Sequence, residues 1–145
     1  MNATGELFDV NVWLALAAEG HPHHAMALRA WTELERPCFC RMTHLGLMRL
    51  LCNRQIMGAQ AFTPESAWAE CEKLLGTGAI SYLDEPSGVD AKLKALSRGA
   101  TATRDFWTDA YLAAFAQCAG LRLVSFDSGF RRFKDLDCLI LKAAA

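Results

Sequence analysis

An α/β domain built on a parallel sheet is the fold this sequence predicts, and three observations predict it. Short β-like apolar runs alternate with segments of helical period along the chain. At 145 residues, 52% hydrophobic and 21% charged, the chain is one domain of ordinary size, globular rather than disordered, expected to span residues 1–145. Three aspartates, Asp9, Asp109 and Asp127, fall where such a sheet brings side chains to one edge. Open parallel sheets bind ligands at that carboxyl edge.

Each element follows from a local signal. Residues 7–10 are a first strand, and residues 12–19 a helix that Gly20 stops. Pro22 starts a second helix reaching residue 35, with Ala25, Leu28 and Trp31 on one face. Residues 38–41 form the second strand and residues 43–51 a helix with Leu47, Leu50 and Leu51 at apolar spacing. Residues 53–62 are expected as loop. Thr63-Pro64-Glu65 is a strong helix start, with a capping hydroxyl, a first-turn proline and an acid at the positive helix end. That helix runs to residue 75, where Gly76 and Gly78 close it. Residues 80–83 are the third strand, 89–96 a short helix and 97–103 a loop. An amphipathic helix over 105–118 ends at Gly120; residues 121–126 and 138–141 are the fourth and fifth strands. The terminal Ala143-Ala144-Ala145 carries no pattern and is expected to be a disordered tail.

Composition narrows the function. A net charge of −1 provides no global field for gripping nucleic acid. This argues more strongly against a dedicated nucleic-acid-binding module than against a nuclease. No apolar run approaches the roughly 20 residues of a membrane span, and residues 1–6 lack the basic and apolar regions of a signal peptide. The six cysteines form no Cys-x-x-Cys pair; Cys38 and Cys40 share a strand face but have no second pair for zinc. Reduced, mostly buried thiols in a cytoplasmic protein are expected.

The acids have two readings each. Asp9, at a strand-to-helix junction, is either an N-cap or a metal ligand; with Asn11 as the cap, Asp9 would face the crevice. Asp109 lies among Ala, Leu, Tyr and Phe in a helix, with Asp105 one turn earlier on the same face. The pair is either two exposed first-turn acids favoured by the helix dipole or part of a charged site. Asp127 follows an apolar strand and precedes Ser128-Gly129, a turn position. Together, carboxylates at strand ends with no adjacent base suit a hard cation such as Mg²⁺ and point to chemistry on a phosphate-bearing substrate.

Five segments carry a family resemblance: Asp9-Val10-Asn11-Val12, His21-Pro22-His23-His24-Ala25, Thr43-His44-Leu45-Gly46-Leu47-Met48-Arg49-Leu50-Leu51, Thr108-Asp109-Ala110-Tyr111-Leu112-Ala113-Ala114 and Leu123-Val124-Ser125-Phe126-Asp127-Ser128-Gly129-Phe130. In this order, across residues 7–141, the chain resembles PIN-domain ribonucleases of the VapC toxin type. The resemblance implies a three-layer α/β/α domain with about five parallel strands and Mg²⁺- or Mn²⁺-dependent cleavage of an RNA substrate. It also implies a homodimer and a cognate antitoxin protein. Asp9, Asp109 and Asp127 match its catalytic acids, with Asp9 and Asp109 as principal metal ligands. One departure stands out. The family usually places a glutamate in the helix after the second strand, whereas residues 42–51 hold no carboxylate, and Gly46 or His44 occupies that place. Asp105 is a candidate substitute.

Two other functions compete: a PIN-like domain that has lost cleavage and acts by RNA or protein binding, and a phosphohydrolase with Asp9 as nucleophile. The second usually wants another acid two residues on, where Asn11 stands. Arg131, Arg132 and Lys134 are read either as a guide for RNA phosphates or as a solvated face. Arg49 is read as a partner for an active-site acid or for backbone. The His21, His23 and His24 group is expected to serve capping and surface roles. The four tryptophans, Trp13, Trp31, Trp68 and Trp107, are expected to fill core or dimer contacts rather than stack bases.

Overall fold

Successive strand side chains point to opposite faces, so a strand that is apolar at adjacent positions must be covered on both sides. The structure, a computed structural model, describes residues 4–142 and has this arrangement. Its strands are β1 (Glu6–Phe8), β2 (Pro37–Cys40), β3 (Ser81–Leu83), β4 (Arg122–Ser125) and β5 (Cys138–Ile140). All pair in parallel, in the order β3-β2-β1-β4-β5. The helices are α1 (Val10–Ala17), α2 (His24–Glu33), α3 (Arg41–Leu51), α4 (Arg54–Met57), α5 (Pro64–Leu75), α6 (Val89–Ser97) and α7 (Phe106–Ala119), with 3-10 turns at Gly58–Gln60 and Ser128–Arg132.

Two apolar clusters sandwich the sheet. Leu7, Cys38, Cys40 and Leu123 join Phe106, Ala110, Ala113 and Phe115 of α7 on one face. Their neighbours Phe8, Phe39 and Val124 join Val12 and Trp13 of α1, Leu47 and Leu51 of α3 and Cys71 of α5 on the other. Trp13 stacks on Phe39 at 4.2 Å between ring centres, filling the space between α1 and the sheet. The result is the expected three-layer α/β/α architecture.

Several elements needed tertiary information; α2, for example, starts at His24 rather than Pro22, and α3 at Arg41 rather than residue 43. The first strand stops at Phe8 rather than residue 10, because Asp9 caps α1 and Val10 is already helical. That helix ends at Ala17, three residues before Gly20, as Ala18 turns extended (φ −105°, ψ 99°). Within the expected 53–62 loop, the Asn53 side chain accepts from the Gln55 N–H at 2.8 Å and starts the single turn α4. A four-residue helix is too short to show periodicity. The start of α5 is as expected: Thr63 and Ser66 exchange side-chain and backbone bonds in a capping box, and Pro64 opens the helix. Gly120, at φ 68°, ends α7 in the left-handed conformation that glycine adopts at little cost.

Of the tryptophans, Trp13 is fully buried, while Trp68 and Trp107 are 48% and 56% exposed, so a core role is wrong for those two. All six cysteines are free thiols. Among the described residues no helix is long and apolar enough to cross a membrane. The alanine tail lies outside the described residues.

Candidate active site

The chain runs outward from central β1 to β2 and β3, then returns to place β4 on the other side of β1. The crevice between β1 and β4 is therefore the topological switch point, where open parallel sheets bind ligands. Register puts Phe8 beside Val124, so Asp9 and Ser125 emerge together at the carboxyl edge. The Asp9 N–H donates to the Val124 carbonyl at 2.8 Å, fixing that alignment.

Ser125 is the junction of the site. Its hydroxyl, fully buried, donates to Asp9 Oδ2 at 2.7 Å. It also accepts from Asn11 Nδ2 at 3.2 Å and from the Asp127 N–H at 3.0 Å. Asn11 Oδ1 in turn accepts from the Phe126 N–H at 3.3 Å. Asp9 Oδ1 takes the Val10 N–H at 2.8 Å, so Asp9, not Asn11, caps α1. Cap and site residue are one and the same, and Asn11 instead ties α1 to β4.

Asp9, Asp105, Asp109 and Asp127 all line one cavity of about 240 Å³, together with Val10, Asn11, Met42, Gly46, Arg49, Leu50, Thr108 and Leu112. Asp109 sits in the first turn of α7, where the helix dipole favours an acid, and takes Arg132 Nη2 at 3.2 Å. Asp127 caps the 3-10 turn Ser128–Arg132, its Oδ1 accepting from the Gly129 N–H at 2.8 Å. Asp105 precedes α7 and makes no side-chain capping bond.

Gathering acids in a partly closed pocket has an electrostatic cost. Burial pushes the Asp9 carboxyl up to about 6; the bonds from Ser125 and Val10 oppose the rise, and the nearby Asp109 and Asp127 charges add to it. Burial also raises Asp109, with Arg132 pulling it back and the Asp127 and Asp105 charges pushing it up. The donor set is all oxygen, which fits a hard divalent cation. The acids line one pocket without forming a ready cage. Among the described residues no three His, Cys, Asp or Glu side chains stand together as a metal-holding group. Both Asp9 oxygens, one of Asp127 and one of Asp109 instead accept hydrogen bonds, from Val10, Ser125, Gly129 and Arg132.

The helix α3 settles which residue stands at the carboxylate-free position. Gly46 lines the pocket, whereas His44 is buried towards β3, its Nδ1 3.2 Å from Tyr82 Oη. A Cβ at Gly46 would lie 2.7 Å from Val10 Cγ2, so a side chain there requires the Val10 side chain to shift. Arg49, one turn on, lines the same wall and makes no ion pair among the described residues. The histidines make local contacts rather than the expected cap of α2, which has no side-chain capping bond: His21 Nδ1 accepts from the His23 N–H at 3.0 Å, and His24 Nδ1 lies 2.7 Å from the Ala15 carbonyl. Ser125 is a site residue that sequence reasoning misses; its signal is a polar residue in the apolar stretch Leu123-Val124-Ser125-Phe126.

The PIN domain family model matches residues 7–136, nearly the whole chain. Ribonuclease VapC41 of Mycobacterium tuberculosis is 38% identical over 143 residues, covering 93% of this chain and 97% of the relative. The chain is a PIN domain of the VapC family. Solved structures agree on the fold. The sarcin-ricin loop cleaving toxin VapC20 of M. tuberculosis superposes with a TM-score of 0.64 at 18% identity, over 87% of this chain and 92% of that one. A toxin–antitoxin complex from Klebsiella pneumoniae gives 0.60 at 18% identity, over 92% and 95%. For this PIN domain the acid-lined crevice coincides with the switch point of the sheet.

Proposed function

We propose that the protein is the ribonuclease toxin of a toxin–antitoxin pair, hydrolysing RNA phosphodiester bonds with Mg²⁺ or Mn²⁺ at the acidic crevice. The observation that carries this reading is the convergence of Asp9, Asp109 and Asp127 on one cavity at the carboxyl edge of β1 and β4. The VapC relative is named a ribonuclease, and the structural neighbours include a cleaving toxin and a toxin–antitoxin complex.

Asp9 and Asp109 would hold the cation, and Asp127 would complete its shell or orient the attacking water. When bound, the cation supplies Lewis acidity to the phosphoryl oxygen and lowers the pKa of a bound water, so no nucleophilic side chain is required. The chain's own contribution is placement. Ser125 fixes one Asp9 oxygen and the Asp127 backbone on a single hydroxyl, setting two acids relative to each other. Asn11 braces the same hydroxyl from α1. Asp105, on the cavity wall, is the substitute for the acid that Gly46 leaves out; Asp105→Asn with unchanged metal affinity and activity would remove that role.

The reading includes a homodimer, an antitoxin partner and a cytoplasmic setting, the last in keeping with six free thiols. A direct test is cleavage of RNA oligomers by purified protein in Mg²⁺, Mn²⁺ or EDTA. Metal-dependent cleavage that Asp109→Asn abolishes is the expected result. Cleavage in EDTA sinks the mechanism. RNA binding without cleavage in any metal would favour the impaired-domain alternative.

A further inference from the structure

The 3-10 turn that presents Asp127 also presents a cation to the opposite acid. Arg132 Nη2 reaches Asp109 Oδ2 at 3.2 Å. Its other nitrogen, Nη1, donates to the Gly129 carbonyl at 3.1 Å, and its Cζ lies 4.7 Å from the Phe133 ring centre. The guanidinium is thus held by its own turn as well as by the acid. A Cβ at Gly129 would stand 2.8 Å from Nη1, so the side chain lies flat against that glycine. The Asp109 side chain is 14% exposed and that of Arg132 41%, so the arginine is the more solvent-exposed partner of the pair. Arg131 and Lys134, its basic neighbours, make no ion pair among the described residues.

We propose that Arg132 is a counter-ion switch: it neutralises Asp109 until a divalent cation takes that carboxylate, and then positions an RNA phosphate. The inference rests on the nuclease reading above and assigns Arg132 a place in it. A divalent cation drawn to Asp109 meets the Arg132 guanidinium 3.2 Å from Oδ2, and repulsion between the two positive charges sets metal and arginine in competition for that carboxylate. A half-exposed ion pair is weak enough to yield to a divalent ion. The released guanidinium keeps its Gly129 and Phe133 anchors, and its planar donor fork suits phosphate oxygens. It is a phosphate-positioning residue, not a catalytic one.

The competition gives effects of opposite sign on metal and RNA, which a merely structural residue would not. Mn²⁺ binding to the whole, RNA-free protein is measured by calorimetry for wild type, Arg132→Gln and Arg132→Lys, with melting temperatures confirming that each is folded. Arg132→Gln is expected to bind Mn²⁺ about two- to fivefold more tightly, the scale of a lost surface ion pair. In cleavage assays its KM for RNA should rise, and the slope of log KM against log salt should become shallower by about 0.7, the loss of one phosphate contact on a single strand. Arg132→Lys, which keeps the charge, should retain the slope. Unchanged or weaker Mn²⁺ binding in Arg132→Gln, or an unchanged salt slope, overturns the switch while leaving the nuclease reading standing. No Mn²⁺ uptake by wild type overturns both.

Discussion

Two strand ends of the same sheet hand over to helices in nearly the same way, and they differ in one charge. At the end of β2 the Thr43 hydroxyl accepts from the Cys40 N–H and donates to the Cys40 carbonyl, each at 3.0 Å, and the chain enters α3 with no ionisable oxygen. At the end of β1 a carboxylate caps α1. Both junctions are buried: Thr43 is fully so and Asp9 is 9% exposed. The neutral solution demonstrates that the fold needs no charge to start a helix here. Asp9 carries a burial cost that Thr43 avoids, and residues kept at a cost to stability belong to function more often than to folding.

The largest expected difference between the two junctions lies in activity. Asp9→Asn and Asp109→Asn should lower metal-dependent RNA cleavage by at least about a hundredfold, since even partners of metal ligands cost tenfold to a hundredfold. Thr43→Val should leave the turnover of the remaining folded protein near wild type. Equal losses at both junctions, measured by initial rates at saturating Mn²⁺, would erase the distinction.

Ser125→Ala tests the support of the charged junction. It removes the bond to Asp9 and the acceptor for both Asn11 and the Asp127 N–H. We expect about a tenfold to hundredfold loss in Mn²⁺ affinity by calorimetry. Unaltered affinity would show that Asp9 is held well enough by Val10 alone.

Stability should move in opposite directions. The Asp9 carboxyl is raised to about 6, above its ordinary value of 3.8. Its proton therefore stabilises the fold fully below about pH 4, and that contribution is lost as pH rises through 6. Asp9→Asn should accordingly make the metal-free protein more stable by about 1–3 kcal/mol at pH 8, with the gain vanishing near pH 4, in urea titrations. The smallest effect is that of Thr43→Val, a loss of about 1–2 kcal/mol from the unsatisfied Cys40 N–H, independent of pH between 5 and 8. A stabilising Thr43→Val or a pH-flat Asp9→Asn would reverse the comparison.

The sequence made the three acids legible because each interrupts a pattern: Asp9 and Asp127 end apolar strands, and Asp109 sits in an apolar helix. Cap and site are not alternatives for Asp9: one oxygen caps α1, and the residue lines the acid cavity. Gly46 was readable in principle: a glycine inside a helix costs about 1 kcal/mol relative to alanine and so marks a close approach, here of Val10. What was hidden is relational. Nothing in residues 120–132 states that Ser125 will meet Asn11, or that Arg132 will lie on an acid 23 positions earlier. Such pairings come from strand order and helix placement, which local signals leave open.

That order has a temporal consequence during translation. The bond from Ser125 to Asp9 spans 116 residues, and β4 must insert beside β1 before it forms. Non-local pairings of this kind come late in folding. A polypeptide still being made has its first acid long before its last, so the acid-lined crevice exists only once β4 has been made and has paired with β1.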